Sequence, residues 1–238
     1  MTPASAPAPA RRLALLVIAL AVSIPQRAIA DFVDARALSH TAPNADPAVL
    51  GLALNAITCA VKGGHPPATR LAIIDYSRPS TERRLWVFDL DKPALLHEEW
   101  VAHGRNSGDN LTHTFSNAEG SLATSLGLFQ TMNAYEGRNG YSLRLSGLES
   151  GVNDHALRRA IVIHGASYVN PDRLDAMGRL GRSWGCPAVR TAVAQSLIDH
   201  LKDGQYVFAY YPDSQWLAAS PYLHCATGPQ PSFARAAR

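Results

Sequence analysis

The pattern of hydrophobic and polar positions predicts two amphipathic helices. Hydrophobic residues recur at helical spacing from Val49 to Val61. The pair Asp46-Pro47 before them is typical of a helix start, and Gly63-Gly64 marks the helix end. The same spacing returns from Thr191 to Lys202, where Gly204 closes it.

Short apolar runs bounded by turn residues have the length and composition of β-strands. The dipeptide Asn139-Gly140 separates two of them and favours a type I′ hairpin turn. The run Ala160 to Ile163 fits a central strand that ends directly on His164, and residues 104–120 form a long Gly- and Asn-rich loop of the kind that is often functional. The sequence therefore predicts a mainly β fold with a few helices (α+β) in a single sheet-based domain. The predicted strands are 71–76, 85–90, 95–102, 126–132, 141–145, 160–163 and 205–211.

The first 30 residues resemble a secretory signal peptide. Arg11-Arg12 precede an apolar run from Leu13 to Ile24, which is too short to span a bilayer. Ala28-Ile29-Ala30 then fits a cleavage site. We expect an exported or periplasmic protein that begins at Asp31 and has no stable membrane insertion after cleavage. A membrane anchor that stays attached is the alternative.

The net charge argues against a nucleic-acid partner. The whole chain has 22 basic and 19 acidic side chains. Three of the basic residues, Arg11, Arg12 and Arg27, lie in the predicted signal peptide, so the remainder is balanced at 19 against 19. Binding to nucleic acid draws on a basic surface that displaces counterions from phosphates. We therefore expect no nucleic-acid binding.

Residues 181–189, Gly-Arg-Ser-Trp-Gly-Cys-Pro-Ala-Val, suggest a nucleophile turn around Cys186. Gly185 permits a close approach of backbone, and Pro187 fixes the chain after the thiol. A thiolate can attack a carbonyl while backbone N–H groups of the turn stabilise the oxyanion. Among the nine histidines, His164 is the best candidate for the base. One cysteine and one histidine alone are more often structural.

Several motifs in a fixed order strengthen this interpretation, and together they resemble the murein L,D-transpeptidase family, in a branch with a Ser-Trp-Gly-Cys-Pro motif. The resemblance spans residues 70–211. It implies a β-sandwich or barrel catalytic domain over 67–212. We expect the N-terminal helical segment 31–66 to pack on this domain, and the composition of the tail 213–238, rich in Ala, Pro and Arg, predicts disorder from Thr227. The motifs are His103-Gly104, Phe115-Ser116-Asn117, Ser121 to Gly127, Tyr141-Ser142-Leu143, Gly147 to Asp154, Ile161 to Ala166 and Gly181 to Val189.

The resemblance also implies the chemistry. Cys186, in a Ser-x-Gly-Cys motif that starts at Ser183, would be the nucleophile, and His164 would be the base, oriented by a carbonyl of Gly165 or a neighbour. The thiolate would attack the third residue of a peptidoglycan tetrapeptide stem and expel D-Ala. An amine of a second stem, which gives a 3-3 cross-link, or water would accept the acyl group. No cofactor or metal is implied, the partner is the stem peptide, and we expect a monomer.

Two departures from the better-known members concern the residues around the thiol. Trp184 stands where those members have His, and Ala188 stands where they have Arg or Asn. Arg190 follows two residues later as a possible replacement. The interval of 22 residues from His164 to Cys186 is also longer than in those members.

Further site candidates each have a structural alternative. Ser183 could bond the thiol or the loop backbone, and Gly185 would belong to the catalytic turn. Trp184 could stack on substrate or pack in the fold, and His103 could line the cleft or serve the loop. Arg182 and Arg190 could bind stem-peptide carboxylates or remain solvated.

The three cysteines also allow a prediction in an oxidising compartment. If Cys186 remains a thiol, Cys59 and Cys225 are predicted to form a disulfide that ties the first helix to the C-terminal tail.

Rival functions remain open at this stage. A cysteine hydrolase on the same scaffold would trim tetrapeptides and share the acyl-enzyme. A zinc hydrolase could use His103, His113 and His164, with Cys186 as a further ligand, although His97-Glu98 lacks the second histidine of an H-E-x-x-H helix. A non-catalytic wall-binding module would be expected to have lost its thiol.

Overall fold

The computed structural model describes Met1 and residues 34–225. The predicted signal peptide, after Met1, and the tail from Thr227 lie outside the described residues. Two helices open the described chain, α1 (Ala35–Thr41) and α2 (Pro47–Lys62). The Asp46 side chain accepts a hydrogen bond from the Ala48 amide and so caps α2, which starts on Pro47 and ends at Gly63 as predicted.

Within residues 34–225, nine strands form one mixed sheet in the order β3-β2-β1-β9-β5-β6-β7-β8-β4. The predicted mainly β fold with few helices is confirmed. The strands are β1 (Arg70–Asp75), β2 (Leu85–Asp89), β3 (Ala94–Glu99), β4 (Val101–Ala102), β5 (Gly127–Gly137), β6 (Gly140–Gly147), β7 (Val162–Gly165), β8 (Ala188–Val189) and β9 (Tyr206–Tyr210). The remaining helices are a 3-10 turn (Pro171–Arg173), α3 (Leu174–Met177), α4 (Thr191–Leu201) and α5 (Ser214–Ala219).

The sheet curls into a nearly closed barrel because its two edge strands are consecutive in sequence. The predicted single strand 95–102 is two strands, with Trp100 between β3 and β4. β3 pairs with β2 at one edge, whereas β4 pairs with β8 at the other. The Trp100 indole donates to the Thr81 carbonyl at 3.1 Å, and the Arg83 guanidinium lies 4.5 Å from its ring centroid. These contacts hold the chain where it crosses between the edges.

Alternate residues of the same strands enter two separate cores. Leu71 and Ile73 of β1 pack under α1 and α2, whereas Ala72 and Ile74 pack in a second core with α4. This alternation is what the period-two geometry of a strand requires when both faces are covered. Burial of each large aliphatic or aromatic side chain contributes about 1.5–3 kcal/mol to folding.

Two predicted details of the strands differ in the structure. The β5–β6 hairpin forms, but its loop is Arg138-Asn139, with a positive φ of 73° at Gly140 and not at Asn139. The type I′ prediction is therefore wrong, and the glycine instead follows the turn. The run predicted at Ala160 starts later, because Ala160 itself has φ 53°, and β7 continues through His164 to Gly165.

The C-terminal segment is tied back to the first long helix. Cys59 in α2 and Cys225 form a disulfide with a Cα–Cα distance of 5.4 Å, which confirms the predicted pair. The buried Trp216 of α5 donates from its indole to Glu149 at 2.8 Å. No helix within the described residues combines the length and apolar character that crossing a membrane requires.

Candidate active site

The turn that carries the thiol is built on the hydroxyl of Ser183. Its Oγ accepts a hydrogen bond from the Gly185 amide at 3.0 Å and donates one to the Cys186 carbonyl at 2.6 Å. The side chain is buried, so these bonds are shielded from water. Ser183 therefore bonds the loop backbone and not the thiol, and it fixes the conformation of residues 183–186.

Gly185 occupies a position that no other residue fits. Its φ is 124°, outside the usual range of L-residues, and a Cβ atom there would lie 2.9 Å from the Ala123 carbonyl oxygen. The hydroxyl of Thr124 donates to the Gly185 carbonyl at 3.3 Å. The glycine thus lets the segment before Leu126 press against the nucleophile turn.

Cys186 is the free cysteine of the described chain, and its residue is partly exposed. The Val162 amide donates to Sγ at 3.5 Å, and the thiol donates to the Ala160 carbonyl at 3.7 Å. Burial of the sulfur raises the pKa of the thiol, while the Val162 N–H and the positive charge of Arg159 lower it. A base is therefore needed to populate the thiolate near neutral pH.

His164 is a buried imidazole whose tautomer is set by its own neighbour. Nδ1 lies 2.9 Å from the Gly165 carbonyl oxygen, which confirms that a carbonyl beside the histidine orients the ring. Because a carbonyl can only accept, Nδ1 carries the proton and Nε2 has the free lone pair. Burial lowers the pKa of His164, so the ring stays neutral at pH values lower than for an ordinary histidine.

The register of β7 and β8 relates the histidine to the thiol. His164 pairs with Ala188 in parallel register, and two residues earlier the same register places Val162 beside Cys186. The Cys186 side chain packs against the core that contains Ile163, whereas Ala188, the partner of His164, lies in a different core. The register therefore brings the backbone segments of the histidine and the cysteine together. The sulfur bonds Val162 and Ala160 here, and reactive hydrogen bonds commonly tighten only when substrate is bound.

Arg182 and His103 both serve the long loop that begins at Gly104. Arg182 donates to the Gly108 carbonyl at 2.9 Å and pairs with Asp109 at 2.8 Å. The fully buried His103 accepts from Arg84 at Nδ1 and donates from Nε2 to Gly108. Burial, reinforced by the Arg84 charge, lowers the pKa of His103 to about 4. Both predicted substrate contacts are thus engaged inside the protein.

Trp184 is the most exposed aromatic side chain of the site. Its exposed fraction is 70%, although it lies between Ser183 and Gly185, both of which have structural roles in the turn. The indole is therefore accessible to a molecule that approaches the thiol.

Arg159 is a site residue that the sequence analysis missed. Its guanidinium donates to Ser116, Ser121, Ser125 and Ala123, four residues of one loop. Its partners lie between 34 and 43 positions away and are carbonyl and hydroxyl groups, so no local motif signals it.

Within residues 34–225, no three His, Cys, Asp or Glu side chains cluster as a metal site would require. His97 and Glu98 lie on strand β3 and not on a helix.

Comparison with known families decides which family this constellation represents. The family model for the L,D-transpeptidase catalytic domain matches residues 41–210, well over half the chain. This chain belongs to the L,D-transpeptidase catalytic domain family. The family predicted from the motifs is confirmed, and the match spans α2, all nine strands and α4.

Solved structures similar to this L,D-transpeptidase domain include two mycobacterial L,D-transpeptidases. An L,D-transpeptidase from Mycobacterium smegmatis is 13% identical with TM-score 0.38, covering 60% of this chain and 59% of that one. L,D-transpeptidase 1 from Mycobacterium tuberculosis is 13% identical with TM-score 0.34, covering 60% and 62%. The chain thus spans about three fifths of these structures. A comparison with curated proteins gives no match.

Arg190 of this L,D-transpeptidase domain, the candidate replacement for a basic residue at position 188, pairs with an acidic side chain. Its guanidinium makes a two-pronged pair with Glu99, at 2.8 Å from Nε and 2.6 Å from Nη2, and lies 5.5 Å from the Trp100 ring centroid. This pair raises the pKa of Arg190 and ties the start of α4 to the end of β3. Its charge is therefore already neutralised by a carboxylate.

Proposed function

We propose that this protein is an exported peptidoglycan L,D-transpeptidase in which Cys186 is the nucleophile and His164 the general base. One observation carries the proposal. The Ser183 hydroxyl and the constrained Gly185 hold a free thiol next to a strand on which the Gly165 carbonyl fixes the His164 tautomer. Nucleophile, base and orienting group are the three parts that activated-thiol catalysis needs.

The first half of the reaction forms a thioester. His164 Nε2 takes the thiol proton, and the Cys186 thiolate attacks the carbonyl of the third residue of a tetrapeptide stem. The Gly185 amide is already bonded to Ser183, which leaves the Cys186 amide as the donor of this turn for the oxyanion. The imidazolium then protonates the leaving nitrogen, the C–N bond breaks, and D-Ala departs.

The second half returns the enzyme to its starting state. An amine of a second stem attacks the thioester, His164 takes a proton from it, and the thiolate leaves and is reprotonated. A 3-3 cross-link results. Water in place of the amine would give a tripeptide, so a carboxypeptidase on the same scaffold is the alternative, with the same acyl-enzyme. Neither course calls for a cofactor.

Two further features support export and substrate contact. The Cys59–Cys225 disulfide is typical of oxidising compartments, and the N-terminal 30 residues have the pattern of a signal peptide. The exposed Trp184 beside the thiol is proposed to lie against the substrate, since an aromatic face supplies contact area at low entropic cost.

Product analysis tests this function. The purified protein and a Cys186→Ala variant are incubated with a disaccharide-tetrapeptide, and the muropeptides are separated and weighed. We expect a cross-linked dimer and released D-Ala from the wild type only. Tripeptide without dimer would make the protein a carboxypeptidase, and equal products from both proteins would reject the cysteine mechanism.

A further inference from the structure

Arg159 clamps one loop against the nucleophile turn. One guanidinium nitrogen, Nη1, donates to the Ser116 carbonyl at 2.6 Å and also to the Ser125 hydroxyl. The other, Nη2, donates to the Ala123 carbonyl at 2.5 Å and to the Ser121 hydroxyl at 3.1 Å. Both ends of the 116–125 segment are therefore held by a single planar group, whose fork geometry suits such multiple bonds.

The same guanidinium lies beside Gly185, the residue that precedes the thiol. Nη2 is 3.4 Å from the point where a Cβ on Gly185 would stand, and the Ala123 carbonyl that it binds is 2.9 Å from that point. The residue after Arg159, Ala160, accepts the hydrogen bond from the Cys186 thiol. Ala160 has φ 53°, a strained value for a residue with a side chain. At this turn the Arg159 guanidinium lies near Gly185, and the Ala160 carbonyl accepts from Cys186.

The positive charge of Arg159 is not neutralised by a carboxylate. Its four bonds go to neutral oxygens, and no carboxylate within the described chain forms an ion pair with it. Its neighbour Arg158 is exposed and pairs instead with Glu119. The other titratable groups that interact with the sulfur are Tyr76 and Tyr168, whose raised pKa values keep them neutral.

We propose that Arg159 is a positioning residue with a second, electrostatic role: it holds the 116–125 segment over the nucleophile turn and stabilises the Cys186 thiolate. In this protein Ala188 leaves the turn without a basic residue of its own, and both Arg182 and Arg190 are paired with acids. Arg159, which lies beside Gly185, supplies a cation to the turn. The proposal rests on the proposed function only in taking Cys186 as the nucleophile.

The rate of thiol alkylation as a function of pH tests the charge. Because Cys59 and Cys225 are joined, iodoacetamide reports on Cys186. In Arg159→Gln we expect the pH midpoint of the alkylation rate to rise by about one unit, since a nearby cation favours the thiolate. Arg159→Lys keeps the charge and should retain most of the wild-type midpoint. Arg158→Gln, the matched control, should titrate like the wild type.

Hydrogen exchange of the 116–125 segment tests the positioning role. Exchange should accelerate in both Arg159 variants, because lysine lacks the fork, and by much less in Arg158→Gln, which loses only the exposed pair with Glu119. A wild-type midpoint and wild-type exchange in a folded, disulfide-intact Arg159→Gln protein would overturn the proposal. Alkylation needs no substrate, so this outcome is distinct from a failure of transpeptidation.

Discussion

The Nδ1 atom of His164 lies 2.9 Å from the carbonyl oxygen of Gly165, the residue that follows it in strand β7. This contact places the ring proton on Nδ1 before any substrate arrives. No further side chain is needed to orient the ring, because the orienting group is a backbone carbonyl. The base therefore enters the reaction in the correct tautomer, held by a strand that is paired on both sides.

Removal of the imidazole is expected to slow catalysis without loss of the fold. We predict that His164→Ala lowers the rate of transfer about 10²–10⁴-fold, as for other general bases. Because burial lowers the pKa of His164, the wild-type rate should fall with acid only below about pH 6.5. Steady-state rates against pH check both points, with the exposed loop variant His113→Ala as control. A rate unchanged in His164→Ala would assign the base elsewhere.

The conformation of Gly185 predicts opposite outcomes for two glycine-to-alanine changes. Gly185→Ala would meet the Ala123 carbonyl and an unfavourable φ, so we expect a loss of about 1–3 kcal/mol in the free energy of unfolding and little activity. Gly51 lies in α2 with open space around it, and Gly51→Ala should gain about 0.5–1 kcal/mol. Urea unfolding of both variants decides. Equal stability of the two would contradict the described turn.

The disulfide joins residues 166 positions apart and should stabilise the fold independently of the thiol chemistry. In a variant with both Cys59→Ser and Cys225→Ser, we predict a loss of about 2–5 kcal/mol in the free energy of unfolding. Alkylation of Cys186 should persist in the fraction of the protein that remains folded. Loss of the alkylated peptide in that variant would place the reactive thiol elsewhere.

The buried His103 predicts acid sensitivity of the fold. Its pKa of about 4 in the folded protein lies below the ordinary value of 6.5, so the unfolded chain binds the proton first as the pH falls. Stability should therefore be full above about pH 6.5 and decline by about 3 kcal/mol towards pH 4. In His103→Gln, which can keep both hydrogen bonds, the decline should be smaller. The control is His40→Gln, on the surface of α1, where unfolding at each pH should follow the wild type.

The parts of the fold that sequence could predict are those with local causes. Helix α2 follows from its Asp46 cap, Pro47 and apolar stripe, and β1 and β9 follow from buried apolar runs. The two-residue strands β4 and β8 are too short to show any period. The break at Trp100 could not be predicted, because it depends on which distant strand each side meets.

The same distinction holds for the site. The nucleophile turn and the candidate base lie in compact motifs, and the structure places the turn beside strand β7, which carries the base. The partners of Arg190 and Arg159 are far away in sequence, Glu99 by 91 positions and Ser116 by 43. These contacts form only when distant strands and loops come together in the folded barrel. The sequence alone therefore does not show whether an arginine near the motif is free to bind substrate or is held by a partner within the protein.

The acyl-enzyme tests the central claim most directly. Intact-mass measurement of the protein, quenched in acid during turnover of a disaccharide-tetrapeptide, should show an adduct equal to the substrate less D-Ala. Proteolytic mapping should locate it on the peptide that contains Cys186. The Cys186→Ala variant, which retains the disulfide and the fold, should carry no adduct. Turnover by the wild type without any adduct on Cys186, or the same adduct on Cys186→Ala, would contradict the account.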